Sequence, residues 1–314
     1  MKWNKARKAL MTFSLAAFLN DVGAHIIRPL WPAFITIVLG APASFLGFID
    51  GLGQSTAAVS RYPAGRWADM HKKKPLIWLG YLFGGLSRLG YAISTFASML
   101  IPFHILDRAG KGVREPSRDA LLAQYYKKKR RGAAFGILEA VDHVGSIVGP
   151  LVGLALFAIL SYRYTFAIAA IPSIVGAIVI WAVIKEVRRK KARVRRIKFK
   201  FYPKEFKVLT AVSALFALSW FSVSFFILYA SKVGLPIILL PIFYLSFTVF
   251  TAITCIPAGR LSDRIGRKPV MLLGFILFSI SCLGFAFVKE IWALSLSSLA
   301  PISLSNRSVW SRDG

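Results

Sequence analysis

"PAGRWADMHKKKP", residues 63–75, returns almost unchanged as "PAGRLSDRIGRKP", residues 257–269. Widened to Tyr62–Tyr81 and Ile256–Phe275, the two copies agree at nine of twenty positions. A basic, glycine-led phrase written twice, 194 positions apart, is an internal repeat, and its meaning depends on what lies between the copies.

What lies between them is apolar. The chain is 56% hydrophobic and yet carries a formal charge of +28 over 314 residues, so the two extremes are separated along the sequence. Stretches long enough to cross a bilayer core fall near 9–36, 43–63, 75–97, 99–124, 133–160, 163–185, 207–231, 236–257 and 269–288. Backbone groups in lipid must be bonded within their own segment, which predicts an all-α integral membrane protein with nine helical spans. Thirty of the 41 Lys and Arg fall in "MKWNKARK", the 61–75 loop, "KKKRR" at 127–131, the 185–207 segment and "GRLSDRIGRK" at 259–268. The loops on the other side hold only Arg163, Lys232 and Lys289. The positive-inside rule therefore places the N-terminus and both copies of the phrase in the cytoplasm, in a multi-pass protein of the cell membrane. The charge is a topology signal with some attraction to anionic lipid, and nucleic-acid binding is not expected. The first apolar run is long, lacks a small-residue cleavage site and is followed by further spans, so it reads as a helix and not as a signal peptide. Cys255 and Cys282 both lie in predicted spans, so neither a disulfide framework nor a metal site is expected.

Six spans separate the copies, an even number, so both return to one face; this is the pattern of parallel repeats about an axis along the membrane normal. The predicted organisation is a six-helix bundle over residues 1–186, a basic linker over 187–206 and a partial second bundle over 207–314. The linker reads either as a solvated tether or as an amphipathic stretch on the lipid surface.

Charges at membrane depth are expensive, and here they form stripes. Asp21, His25 and Arg28 are spaced to share one helix face, and His104, Arg108, Lys111, Glu115, Arg118 and Asp119 recur at the same period on the fourth span. Such faces must meet water or other helices. Arg114, Arg118 and Asp119 sit near the cytoplasmic end, where pairing or snorkelling is an alternative role. Arg88 on the third span reads either way, and Asp50 is a potential partner for any of these bases. In the fifth span, Gly145, Gly149 and Gly153 at four-residue spacing make a smooth groove for close helix packing, with Pro150 bending it. Asp142 shares that stripe, and Glu139 lies one turn earlier.

These residues together resemble the major facilitator superfamily of secondary transporters. Its loop signature, G-x-x-x-D-R-x-G-R-K, is met in full by Gly259, Asp263, Arg264, Gly266, Arg267 and Lys268. The first copy keeps Gly65, Asp69, Lys73 and Lys74 but has Met70 and Lys72 where Arg and Gly are expected. Arg108 and Gly112 match the helix-4 signature R-x-x-x-G, whose Arg the resemblance links to proton coupling. Gly136, Gly145, Gly149, Pro150 and Gly153 match the antiporter signature of proton-coupled exporters, with Leu154 in place of a final glycine. The resemblance implies alternating access between two six-helix bundles, and a latch from Asp69 to an eleventh helix.

Twelve spans of about 20 residues with their loops need more than 314 residues. The chain is therefore expected to lack helices 10–12, with a tail from Pro301 that forms no tenth span. The leading expectation is a proton-coupled exporter of an unidentified small molecule, in which one or more of Asp21, Glu139 and Asp142 exchanges the proton. A carboxyl that both holds and releases a proton needs burial and a nearby Arg, opposing effects, and Arg108 is the expected partner. The alternatives are a truncated, transport-inactive membrane protein and an importer or facilitator. No phosphate-cradling loop, nucleophile triad or metal-ligand spacing is present, so neither an enzyme nor a cofactor is expected.

Overall fold

The computed structural model describes residues 2–70, 72–126, 128–186 and 222–287, with a few helical positions between 207 and 215. The linker over 187–206 and the segment after residue 287 lie outside the described residues, as do the side chains of Asp69, Asp263, Arg264 and Arg267. Every regular element among the described residues is helical.

Helix α1 runs Lys2–Ile27, α2 Ala43–Met70, α3 Lys74–Ile93, α4 Leu100–Tyr125, α5 Lys128–Ile159, α6 Tyr162–Val183, α7 Val223–Lys232, α8 Leu240–Ile265 and α9 Arg267–Phe287. The apolar runs thus become helices, with corrections at the first and the seventh. Of the 207–231 stretch, α7 covers only Val223–Lys232, because Ser222 takes extended backbone and caps a new helix start by accepting the Ser224 N–H at 3.2 Å; residues 216–221 lie outside the described residues. The 9–36 stretch is not continuous: α1 stops at Ile27, and after a turn the chain resumes at Trp31–Ala33 and runs into a π-helical segment, Phe34–Val38. Pro29 and Pro32 explain the break, since each lacks a backbone donor and disfavours helix in the residue before it. Arg28 still bonds its N–H to the Ala24 carbonyl at 3.2 Å, so it closes the last turn of α1.

Among the described residues, four helices are long and apolar enough on their own to cross a membrane: Lys5–Ile27, Lys74–Ile93, Arg130–Ile159 and Tyr162–Val183. Helix α4 is not among them because it carries eight ionisable groups between His104 and Asp119. It solves this by position. It packs against α2 and α3, and His104, Arg114, Glu115 and Arg118 are all buried. The helices that do face outward show apolar side chains there: Leu86, Leu89 and Ile93 on α3, and Ile171, Val175, Ile178 and Trp181 on α6.

The interior of the first bundle is layered. At the end bearing the basic loops, Leu10, Phe13, Ile77, Tyr81, Leu121, Leu138 and Ile180 form one apolar cluster. At the far end Ile26, Leu30, Trp31, Phe34, Leu46, Ile49, Leu100 and Phe166 form another. The helices' polar and charged side chains sit between the two. Helices α7 and α8 join the far end, where Ala33 packs with Phe226, Ile227, Ala230, Leu240, Phe243, Tyr244 and Phe247.

The two copies of the basic phrase make different turns. In the second, Gly266 takes φ of 88° between α8 and α9, a left-handed conformation suited to glycine. The matching position in the first copy is Lys72, and no described non-glycine residue has positive φ. That turn is held from outside the repeat. The Glu186 carboxylate, just past α6, accepts the backbone N–H of Lys73 at 3.0 Å and of Lys74 at 2.8 Å. A carboxylate on the first N–H groups of α3 satisfies donors that have no partner inside the helix. Gly65 and Gly259 lie inside α2 and α8, away from the turns, and a Cβ at Gly65 would meet nothing within 4 Å.

Candidate functional site

The glycine stripe of α5 packs against α1. A Cβ added to Gly145 would lie 3.1 Å from the Asp21 Cβ, one on Gly149 2.5 Å from the His25 Cβ, and one on Gly153 2.9 Å from the Ile26 carbonyl. Three glycines, one per turn, therefore let α5 ride on the backbone of α1 along the side that carries Asp21 and His25. Gly136 stands apart from this contact, with nothing within 4 Å of where its Cβ would be. Gly112 plays a similar part between α4 and α2, where a Cβ would fall 2.6 Å from the Ala57 carbonyl.

Asp142 projects from the same helix toward α4. Its Oδ2 lies 3.5 Å from Nη1 of Arg118, whose Nε also meets Asp119 Oδ1 at 3.1 Å. The other oxygen, Oδ1, is buried with no hydrogen-bond partner among the described residues. Asp21 and Glu139 both add their charge to its surroundings. The base beside Asp142 is thus Arg118. Arg108 instead points its Nε at His104 Nε2, 3.4 Å away, and at Asp107 Oδ2, 3.7 Å away. Asp21 itself accepts from Asn20 Nδ2 at 3.1 Å.

His25 and Arg28 meet a residue of α8, far away in sequence. Tyr244 on α8 places its hydroxyl 3.3 Å from Arg28 Nη1 and 3.2 Å from His25 Nδ1. The guanidinium can only donate, so it donates to the phenol oxygen, leaving the hydroxyl hydrogen for His25 Nδ1. This phenol joins α8 to the ionisable face of α1.

Glu115 is shared. Arg61 of α2 holds its Oε2 at 2.8 Å, and Lys111 stands 3.7 Å from its Oε1. Asp50 accepts from Trp31 Nε1 at 3.3 Å, and Trp31 stacks on His104, with ring centroids 5.4 Å apart. Arg88 has a structural position. Fully buried, it donates to Ser173 Oγ and Ala169 O on α6 and to the backbone and side-chain oxygens of Asn20 on α1. Arg114 lies over the Tyr81 ring, 4.3 Å from its centroid, a cation–π contact between α3 and α4.

The layer holds Asp21, Asp50, Asp107, Glu115, Asp119, Glu139 and Asp142 against Arg28, Arg61, Arg88, Arg108, Lys111, Arg114 and Arg118. Acids and bases are equal in number, so its formal charge is near zero and what a solute meets is decided by local pairing. Spacing alone had not singled out Asn20, Arg61, Asp107, Ser173 or Tyr244. Asn20 and Asp107 adjoin chosen residues, whereas Tyr244 carries no sequence signal beyond a polar tip in an apolar helix. Among the described residues no group of three or more His, Cys, Asp or Glu could hold a metal ion.

The family profile of the Major Facilitator Superfamily matches residues 13–307. The chain belongs to this superfamily. An uncharacterised MFS-type transporter of Methanocaldococcus jannaschii is 33% identical over 290 residues, covering 89% of this chain and 72% of that protein. Multidrug resistance protein 2 of Bacillus subtilis is 25% identical, over 90% of this chain and 72% of its own length. Among solved structures, a bacterial homolog of the human lysosomal transporter Spinster superposes with a TM-score of 0.75 at 17% identity, covering 94% of this chain and 71% of that one. A D-xylose–proton symporter superposes with a TM-score of 0.67 at 13% identity, covering 96% and 80%. At such identities these structures establish the shared fold: this is a membrane-embedded, all-α MFS transporter.

Proposed function

We propose that this MFS transporter is a proton-coupled exporter of a small molecule, working by alternating access, with Asp142 as the group that takes and releases the proton. One observation carries the reading. Asp142 has one oxygen on a long ion pair to Arg118 and the other buried without a partner. A buried carboxylate held on one side only is poorly compensated. Adding a proton as the Arg118 contact opens removes the poorly compensated charge. The site also sits where bundle motion would be felt. Asp142 lies one turn before Gly145, on the helix that rides along α1, and α1 reaches the second bundle through Tyr244. Rocking one bundle against the other would change which side of the membrane reaches the Asp142–Arg118 pair and so tie protonation to access.

The direction of transport is drawn from two sources: the α5 glycine signature and relatives whose names describe resistance. These include the B. subtilis protein above and the class H tetracycline resistance protein of Pasteurella multocida, 22% identical over 309 residues. Two bundles, over residues 1–186 and 207–314 with the basic linker between them, and a cytoplasmic N-terminus in the plasma membrane complete the proposal.

The test uses everted membrane vesicles containing the protein, acidified inside by respiration and loaded with a pH-quenched acridine dye. Adding tetracycline, ethidium or benzoate should dequench the dye if the solute enters in exchange for protons. A panel that never dequenches it, while a vesicle uptake assay shows downhill entry of one of these solutes, would replace the exporter with a facilitator.

A further inference from the structure

The polar layer is neutral overall, but its acids are not spread evenly. Asp119 and Asp142 lie on Arg118, Asp107 on Arg108, and Glu115 on Arg61. Two bases differ: Arg114 lies over the Tyr81 ring, and Arg28 reaches across to Tyr244 of α8. No carboxylate lies within 4 Å of Arg28 among the described residues, and its hydrogen bond is to the neutral phenol of Tyr244. It is also exposed, although it sits at the end of the ionisable stripe of α1 and level with the buried aromatic cluster. Lys111 has only a share of Glu115: its Nζ is 3.7 Å away, whereas Arg61 holds the same carboxylate at 2.8 Å. The charges of Arg28 and Arg108 both act on Lys111. Lys111 is 34% exposed against 11% for Glu115, so the cation is the more accessible member of this pair. Asp21 and Asp50 also act on Arg28 without pairing with it: Asp21 accepts from Asn20, and Asp50 accepts from Trp31 through Oδ1 while its Oδ2 is buried without a partner.

We propose that Arg28, supported by Lys111 and the Tyr244 hydroxyl, forms a subsite for an oxyanion of the transported molecule, a carboxylate or a phosphate. A guanidinium presents paired donors that fit either group, and a cation left at membrane depth with a neutral partner is costly until an anion joins it. Arg28 belongs to the first bundle and Tyr244 to the second, so a bound oxyanion touches both halves. Binding would then distinguish conformations that bring the two together from those that part them. This assignment names the substrate class of the export reading and rests on it for the claim that the ligand is transported.

Equilibrium binding to the purified full chain in lipid nanodiscs tests the subsite without any gradient. Thermal-shift titrations at fixed pH and ionic strength would use benzoate, inorganic phosphate and tetraphenylphosphonium as probes. Benzoate or phosphate should stabilise the protein in a saturable way, with the preferred probe telling carboxylate from phosphate, and tetraphenylphosphonium should not. Arg28→Gln should weaken the anion by roughly tenfold or more, the scale of a charge-assisted bond, while Arg28→Lys should keep part of it. The two variants are compared at matched size-exclusion profiles, so that loss of fold is seen separately. Absence of saturable anion binding, or equal affinity in wild type and a well-folded Arg28→Gln, overturns the subsite. Anion binding without proton-linked flux would retain the subsite and remove the export reading. Proton-linked flux of ethidium unaffected by Arg28→Gln would do the reverse.

Discussion

Adding one methyl group to each α5 glycine in turn tests the helix contact that organises the site. At Gly149 the new Cβ would stand 2.5 Å from the His25 Cβ, 2.8 Å from the Val22 carbonyl and 3.1 Å from the His25 carbonyl carbon. These are backbone and Cβ atoms, with no flexible tip to swing aside. Ordinary carbon contacts begin near 3.5 Å, so α5 and α1 would have to separate by about 1 Å at that level. Overpacking of this kind costs about 1–3 kcal/mol. At Gly153 the nearest approach is 2.9 Å and at Gly145 it is 3.1 Å, so the penalty should fall in the order Gly149, Gly153, Gly145. Gly136→Ala is the internal control. With nothing within 4 Å it should be neutral or slightly stabilising, because alanine favours helix over glycine. The assay is thermal unfolding of the four Ala variants in one detergent, followed by intrinsic tryptophan fluorescence. A Gly149→Ala protein as stable as wild type, or a Gly136→Ala protein as damaged as Gly149→Ala, would refute the packing argument.

Three further outcomes follow from other contacts. Arg88→Met should lower stability by about 3 kcal/mol, because Asn20 and Ser173 would keep buried acceptors with no cation to fill them, and the loss is read as a drop in melting temperature. Glu186→Gln should remove the charged half of the α3 cap and cost about 1 kcal/mol, seen as faster amide exchange in a peptide spanning Lys74–Tyr81 and not in α6. Lys72→Cys, at an exposed position, should resist a membrane-impermeant thiol reagent applied outside a cell, whereas Lys232→Cys should react; the opposite pattern would invert the topology.

The helices were legible because lipid leaves the backbone so few choices: an apolar run of sufficient length becomes a helix almost wherever it occurs. The break after Ile27 was also written in the sequence, as Pro29 and Pro32, but hydropathy ran across it. The glycine stripe announced a close contact and its spacing, without saying that its partner is the face bearing Asp21 and His25. Pairing was harder to read. Arg108 and Arg118 lie three turns apart on the same helix, and which of them meets Asp142 depends on the vertical offset between α4 and α5. That offset is set by packing and not by either sequence alone. Arg88 looked like an unexplained charge because its partners, Asn20, Ala169 and Ser173, are neutral groups on two other helices. Tyr244 was invisible for a similar reason. A single tyrosine in an apolar helix gains meaning only when the bundles are assembled and its hydroxyl falls between His25 and Arg28.

The central claim is that Asp142 carries the coupled proton, and Asp142→Asn in proteoliposomes tests it most directly. Two fluxes of one solute are measured in parallel, taking whichever of tetracycline, ethidium or benzoate the vesicle assay identifies. The first is net movement driven by a pH gradient, and the second is solute-for-solute exchange with no gradient. A carrier whose proton site is fixed in its neutral form should lose the first and keep the second, because exchange needs alternating access but no proton cycle. Gradient-driven flux at the wild-type rate in Asp142→Asn would contradict the account and move the coupling to another acid of the layer, with Asp21 the next to examine.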